Sequence, residues 1–408
     1  MSESLTAPLT RLTRPWRGRL VVLAGLVLIA LNGRIMVAVV APIIDHIRVD
    51  LPLSHNDEAI IGMIAPFCFA VFGALAAGIG RRFGLEATMA VALLVSAIGE
   101  ACRSMVSTPV WFIIWTVPAL AGAGIGNVIA PPLIRKYFSD RVTLVTGVYT
   151  FFLTISTSLP PLFILSIANA AGWRFSVGLW AVIGVAGVVP WLFVMRSLRR
   201  MLGPRRSVPS APTIDALSVP IWRHGVTWAV AGIFTVNCII GYTMFAWLPH
   251  VLTDAGMSIG RADMYLAVFT AGSLPGALLT PLLIAKAKRV WVMPVVFFIA
   301  YAVSLTGLAV SPTRLTLLWI LVSRIGDCYF PYVLTMINLR STSTRGSIAM
   351  SGFIQPVAYI IATIGPWGFG ALQTLTGGYH IPMLAIIACL PIQLVAGILV
   401  ARARPVDV

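Results

Sequence analysis

Residues 20–44 read LVVLAGLVLIALNGRIMVAVVAPII, an apolar stretch whose strongly polar side chains are Asn32 and Arg34. At about 1.5 Å of rise per residue, this length suits a helix crossing a hydrocarbon core of about 30 Å. Arg34 falls deep in the stretch, where insertion scales put the cost of a charge at about 3 kcal/mol. Residues of this kind ordinarily face a bundle interior or a watery cavity rather than lipid. The stretch therefore reads as one helix of a membrane-spanning bundle, with Arg34 as the first candidate for a solute contact.

The rest of the chain extends that reading. Its 408 residues are 59% hydrophobic and only 10% charged, with a mean hydropathy of +0.94. An ordinary soluble protein carries about 25% charged residues, so that class is excluded. About twelve apolar runs of spanning length follow one another between short polar breaks. They are expected at 20–44, 58–80, 86–106, 110–134, 142–167, 174–196, 226–249, 262–285, 291–310, 314–337, 347–372 and 381–402. The fold class is thus all-α and integral to the membrane.

A formal charge of +16 would by itself suggest nucleic acid. Its placement argues otherwise, because every second break is basic. Arg11, Arg14, Arg17 and Arg19 precede the first run, Arg81 and Arg82 follow the second, and Arg135, Lys136 and Arg141 follow the fourth. Arg196, Arg199, Arg200, Arg205 and Arg206 follow the sixth, and Lys286, Lys288, Arg289, Arg340, Arg345, Arg402 and Arg404 continue the alternation. The other breaks hold acids: Asp45, Asp50, Asp57 and Glu58 in one, Asp254 and Asp263 in another. By the positive-inside rule both termini are expected in the cytoplasm of a multi-pass inner (plasma) membrane protein. The first run is too long for a cleavable leader and is expected to remain as a helix. Cys68, Cys102, Cys238, Cys328 and Cys389 all fall within runs and read as small packing residues.

The longest break, rich in basic residues and holding Pro204, Pro209, Pro212 and Pro220, divides six runs from six. The expected organisation is a cytoplasmic tail at 1–19, a six-helix bundle at 20–196, a cytoplasmic linker at 197–225, a second six-helix bundle at 226–402 and a tail at 403–408. An internal repeat supports it. A shift of about 204 to 206 residues brings Arg141, Gly147 and Gly172 onto Arg345, Gly352 and Gly377, and Asn32 onto Asn237. Two repeated halves with a site between them is the architecture of alternating access.

At several places the chain resembles a known family. Asn32-Gly33-Arg34 followed by Val39-Val40-Ala41-Pro42-Ile43-Ile44 is similar to the first helix of the cyanate permease and 2-nitroimidazole transporter family, within the major facilitator superfamily. Further similar stretches are AGAGIGNV at 121–128, TGVYT around Tyr149, Gly172-Trp173-Arg174 and Ala246-Trp247-Leu248-Pro249. So are Asp254-Ala255-Gly256, Ser351-Gly352-Phe353-Ile354-Gln355 with Tyr359, and Leu375-Thr376-Gly377-Gly378. The resemblance implies two pseudo-symmetric six-helix bundles whose first, fourth, seventh and tenth spans line a central cavity. It also implies a gating loop after the second span, to which Gly73 and Gly80-Arg81-Arg82 conform. Ala77 stands where that loop usually has an acid, and Arg324 with Asp327 stand where the tenth span usually has small neutral residues.

Polar residues of those spans form the candidate site. Arg34 offers a fixed, always-charged fork of donors suited to a carboxylate or other planar anion, or else to a structural ion pair or carbonyl clamp. Asp327 is the acid placed nearest the middle of a span and the candidate proton carrier; the alternative is a permanent pair with Arg324, three residues away. Asn127, Asn237, Tyr242, Trp247, Arg324, Tyr329, Gln355 and Tyr359 are candidate solute-binding donors and ring faces, and Arg81 and Arg82 candidate gating residues. Glu100 and Arg103 are expected as a solvated pair near the outer end of the third span, and Trp111, Trp115, Trp173 and Trp222 as interface anchors.

No phosphate-cradling loop, zinc spacing or nucleophile–base constellation is found, so neither an enzyme nor an ATP-driven pump is expected. The expectation is a secondary transporter without cofactor, whose partners are a small solute, membrane lipid and protons. The solute is expected to be an organic or inorganic anion such as cyanate or a carboxylate. The alternative is export of small aromatic drug-like compounds such as nitroimidazoles; a channel or a membrane enzyme are remoter readings.

Overall fold

The computed structural model describes residues 17–53, 55–202 and 221–405. Most of the expected linker, the first sixteen residues of the expected N-terminal tail and the last three residues lie outside them. The first span is Arg17–Ala38, followed by a turn at Ala41–Ile43 and the short helix Ile44–Asp50. His55–Phe83, Leu85–Ser104 and Pro109–Tyr137 are the second to fourth. The fifth begins as Val142–Ser158 and continues from Pro160 to Gly172, whose φ of +82° turns the chain into the sixth, carried by Ala181–Leu202. Only glycine adopts that angle without strain. Among the described residues eleven stretches are long and apolar enough to cross a membrane, with Val142–Ser158 a shorter one. Two of the twelve expected runs share a single stretch, Phe163–Leu198, because hydropathy does not register the turn at Gly172.

In the second half the seventh, ninth and twelfth spans are single helices, Gly225–Asp254, Val292–Val310 and His380–Arg402. The other three are broken. The eighth is Ile259–Ala271 and Leu274–Lys286, the tenth Thr316–Gly326 and Tyr329–Leu339, and the eleventh Thr344–Ala362 and Ile364–Thr376. One cause serves all three. A proline ring clashes with the carbonyl four residues earlier and offers it no N–H. Pro275, Pro331 and Pro366 stand four residues after Ala271, Asp327 and Ala362, where the breaks fall. At Asp327 the stranded carbonyl is met by the N–H of Phe330 at 2.9 Å, a tighter turn than the α-helix.

Small residues set how closely the spans approach. A Cβ on Gly99 would lie 2.3 Å from the Ala119 nitrogen, and one on Gly122 2.2 Å from the Ala92 carbonyl oxygen, so the third and fourth spans touch backbone to backbone. The two halves meet where the second span packs on the eleventh and the fifth on the eighth. Thr150 donates to the Ala277 carbonyl at 2.7 Å and Ser158 to that of Thr270 at 2.8 Å. Ser351 and Gln355 donate to the Val128 and Asn127 carbonyls, each at 3.0 Å. At the Arg- and Lys-rich end, the Arg135 guanidinium donates to the Asn338 carbonyl of the other half. There a Cβ on Gly352 would fall 2.6 Å from that of Ala77, the position that lacks the usual acid.

Two expectations are corrected. Glu100 and Arg103 are not solvated: both are 0% exposed, sealed in the first half by the spans packed around them. Trp173 is not an interface anchor but is buried, edge-on to Phe112, with its indole N–H on Asp50. Trp111 and Trp222, by contrast, are exposed.

Candidate functional site

Arg34 lies where the halves meet. Its Nη1 donates to the Tyr242 hydroxyl of the seventh span at 3.0 Å, and its Nη2 to the Tyr359 hydroxyl of the eleventh at 3.3 Å. The guanidinium carbon stands 5.1 Å from the centre of the Phe69 ring and 5.9 Å from that of Phe330. Ring faces carry negative charge density, so both contacts favour the cation. Phe234 completes the cage against Tyr359 and Phe330, at 5.4 and 5.7 Å between centroids. Among the described residues no carboxylate lies within ion-pair distance of Arg34. A permanent charge is therefore held by neutral hydroxyls and rings alone.

Asn127 lies behind this cage. Its side-chain oxygen is the acceptor for Tyr149 at 3.4 Å, its main-chain oxygen for Gln355, and its side-chain nitrogen has no protein partner. Gln355 also donates to Ser351 at 2.8 Å, so its two bonds tie the eleventh span together and to the fourth. Asn127 also approaches the first span next to Arg34, where a Cβ on Gly33 would lie 4.0 Å from its side-chain oxygen.

A second polar centre occupies the break in the tenth span. Arg324 and Asp327 approach to 3.6 Å. One Asp327 oxygen accepts from the Asn237 amide at 3.5 Å and from the Tyr301 hydroxyl at 3.4 Å, while Tyr301 lies 3.1 Å from the Asn237 oxygen. Tyr301 has one proton to give, so it serves one acceptor at a time. The Arg324 guanidinium stacks 3.4 Å from the Phe269 ring centre, and its stem crosses Gly272, where a Cβ would meet it at 2.8 Å. A small cavity opens here, lined by Thr154, Ser273, Arg324, Asp327, Cys328 and Phe330 among others. Phe330 also faces Arg34, so one ring separates the two centres.

The structure brings Arg34, Asn127, Tyr242, Gln355 and Tyr359 into one neighbourhood, and Asn237, Arg324 and Asp327 into the next. It sends two candidates elsewhere. The Tyr329 hydroxyl bonds the Pro294 carbonyl at 2.7 Å, and its ring packs on Phe297 and Tyr332 inside the second half. Trp247 bonds the Pro366 carbonyl at 3.0 Å and packs with Phe369 and Tyr379. Arg81 and Arg82 end the second span, with Arg82 over its neighbour Phe83. Sequence reasoning missed Phe69, Phe234 and Tyr301, which carry no local signal: an aromatic in an apolar span looks alike whether it faces lipid, core or cavity.

The connectivity, two six-helix halves and a central cationic site describe a carrier fold, and the sequence relationship agrees with it. Residues 22–366 match the model of the Major Facilitator Superfamily. The chain belongs to this superfamily. It is similar to the 2-nitroimidazole transporter of Escherichia coli, 27% identical over 395 residues covering 96% of this chain and 98% of that protein. It is also similar to the cyanate transport protein of the same organism, 24% identical over 362 residues, 87% of this chain and 90% of the relative. An uncharacterized transporter of Bacillus subtilis is 27% identical over 92% of each chain. Among solved structures, the Escherichia coli fucose:proton symporter superposes with a TM-score of 0.72 at 15% identity, covering 94% of this chain and 98% of that one. As a major facilitator protein, the chain is a membrane transporter of a small molecule and not an enzyme.

Proposed function

We propose that this transporter carries a small planar anion, bound at Arg34, by alternating access of its two halves. The observation that carries the reading is the Arg34 cage: a fixed cation at the interface of the halves whose polar partners are neutral hydroxyls of Tyr242 and Tyr359. A carboxylate or cyanate group reaching Arg34 would replace those neutral hydroxyl acceptors with an anion, adding the attraction of opposite charges to the hydrogen bonds. Solute binding and the cross-half bonds then compete for the same donors, which links occupancy to movement. Asp327 supplies the proton-exchanging group of the neighbouring centre. Its carboxylate is balanced by Arg324 when ionised, and its bonds to Asn237 and Tyr301 survive either state with rearranged protons. The Arg- and Lys-rich ends of the spans lie on the cytoplasmic side.

Cyanate and small carboxylates in reconstituted vesicles provide the test. Arg34→Ala is expected to abolish saturable uptake and counterflow, and Arg34→Lys to leave weak residual uptake because an ammonium lacks the planar fork. Wild-type affinity in the alanine variant would remove Arg34 from the site. Asp327→Asn is expected to preserve exchange while ending pH-driven accumulation.

The rings around the cation favour a second reading, export of small aromatic compounds. Phe69, Phe234, Phe330, Tyr242 and Tyr359 form a cage that suits a flat ring, and the named relatives include a 2-nitroimidazole transporter. Stabilisation of the purified protein by neutral nitroimidazoles, but not by cyanate or carboxylates, would select it.

A further inference from the structure

The corrected pair in the third span has no place in the transport scheme above. Glu100 is fully buried and neither of its carboxyl oxygens has a hydrogen-bond partner. Arg103, one turn away, is equally buried, yet it does not close an ion pair with Glu100 among the contacts within 4.0 Å. Its Nη1 points instead to the Met36 carbonyl at 3.4 Å, and its guanidinium lies 5.6 Å from the Phe112 ring centre. Its Nε and Nη2 are unpartnered. Asn32, also buried, has both side-chain polar atoms unpartnered, and a Cβ on Gly184 would meet both its amide nitrogen and Ala97, the residue one turn before Glu100.

The Met36 carbonyl belongs to the last turn of the first span, the helix that carries Arg34. Such terminal carbonyls lack a partner within their own helix. Arg103 thus caps the solute-site helix just before the turn at Ala41–Ile43. An ionised Glu100 left in this pocket would be a buried charge with no hydrogen bond, an arrangement proteins avoid. A metal cation is a poor occupant, because Arg103 already supplies a permanent positive charge beside the carboxyl. A proton neutralises Glu100 and needs no further ligand. Of the other charged groups on the packed elements, Arg34 bonds the tyrosines, Arg19 pairs with Asp140, Arg174 with Asp50 and Lys136 with Glu86, while Arg81, Arg82, Arg135, Arg196 and Arg200 stand at the basic ends of their spans.

The repeat adds an independent argument. Asn237, the counterpart of Asn32, bonds an acid in its own half, Asp327. Each half therefore places an asparagine of its first helix near a span that carries an acid, although the acids differ in place: Glu100 is buried on the third span and Asp327 half-buried on the tenth.

We propose that Glu100 is a second proton-binding site of this transporter, occupied while Arg103 caps the first span and emptied when that cap is released. When the outer end of the first span swings away, Arg103 loses the Met36 carbonyl and turns to Glu100. The O–H bond of the carboxyl breaks, its proton passes to entering water, and the carboxylate pairs with the guanidinium. Closing the span reverses each step. The site goes beyond the Asp327 centre and does not depend on which solute is carried.

Infrared spectra of the full-length protein across a pH titration, taken in the Asp327→Asn background, test it. A protonated buried-carboxyl band is expected, and it is expected to vanish when Glu100→Gln is added. Glutamine copies the neutral acid, so Glu100→Gln is expected to melt with the wild-type protein at low pH and above it at high pH. Absence of the band at every pH would overturn the proposal. So would a Glu100→Gln protein that melts below wild type throughout or does not fold, since that marks a constant ion pair. Neither readout uses a solute, so failure here is distinct from failure of the anion reading.

Discussion

At the scale of single residues, the cage around Arg34 divides work between charge and shape. If the Tyr359 hydroxyl only holds the empty cation, removing it should help a competing anion. Tyr359→Phe is expected to tighten anion binding by about ten-fold or more, the worth of one hydrogen bond to a charged group of about 1.5–3 kcal/mol, read by calorimetry or thermal shift. Weaker binding would mean that the hydroxyl touches the solute itself. Outside the spans, Asp50 accepts from the Trp173 indole at 2.9 Å and from Arg174. These bonds, the indole first and the guanidinium second, hold its carboxyl below the usual carboxylate range. A group held low when folded contributes its stability above its unfolded value of about 4, and loses it as pH falls through the folded value. Melting temperature is therefore expected to drop below about pH 4 in the wild type and to drop less steeply in Asp50→Asn.

At the scale of elements, glycine and proline placement decides more than hydropathy does. The third and fourth spans lie backbone to backbone across Gly99 and Gly122. A side chain there must push the helices apart, and Gly122→Val is expected to destabilise by about 1–3 kcal/mol or more, measured as a fall in detergent melting temperature. Pro331 acts differently, by opening the tenth span at Asp327 so that the acid sits between two helix ends. The opening also gives Arg324 and Asp327 an approach set by the turn and not by helical spacing alone. Their pairing on one face was legible from the three-residue interval; the break, and the stem of Arg324 across Gly272, were not.

At the scale of the whole molecule, the halves in this structure are joined at the basic end. Arg135 reaches the Asn338 carbonyl near the C-terminal end of a helix, where partial negative charge accumulates. The closure at this end also brings together the small surfaces of Ala77 and Gly352. Gly352→Val is expected to wedge this end open and Arg135→Gln to loosen it. Both should raise the labelling rate of a cysteine introduced on the eleventh span facing the second, relative to the same cysteine in the parent. Unchanged labelling would mean that the fifth and eighth spans hold the halves together without this end.

The sequence by itself determined the class, the span order, the division into two repeated halves and the placing of Arg34 within a span. Those properties are carried by composition, by the spacing of apolar runs and by the insertion cost of a charge, all of which are local to the chain. It also placed Asp327 beside Arg324, because helical neighbours are set by interval. Only the tertiary structure decided which faces meet. Tyr329 belongs to the tenth span and Tyr359 to the eleventh, yet the first packs against the ninth helix and the second holds Arg34. Glu100 and Arg103 read as a surface pair by their position near a span end, and are buried because neighbouring spans extend past them. Rotation of a helix about its axis and the depth to which its neighbours cover it are properties of the packed bundle, and an apolar span with little amphipathic pattern does not record them.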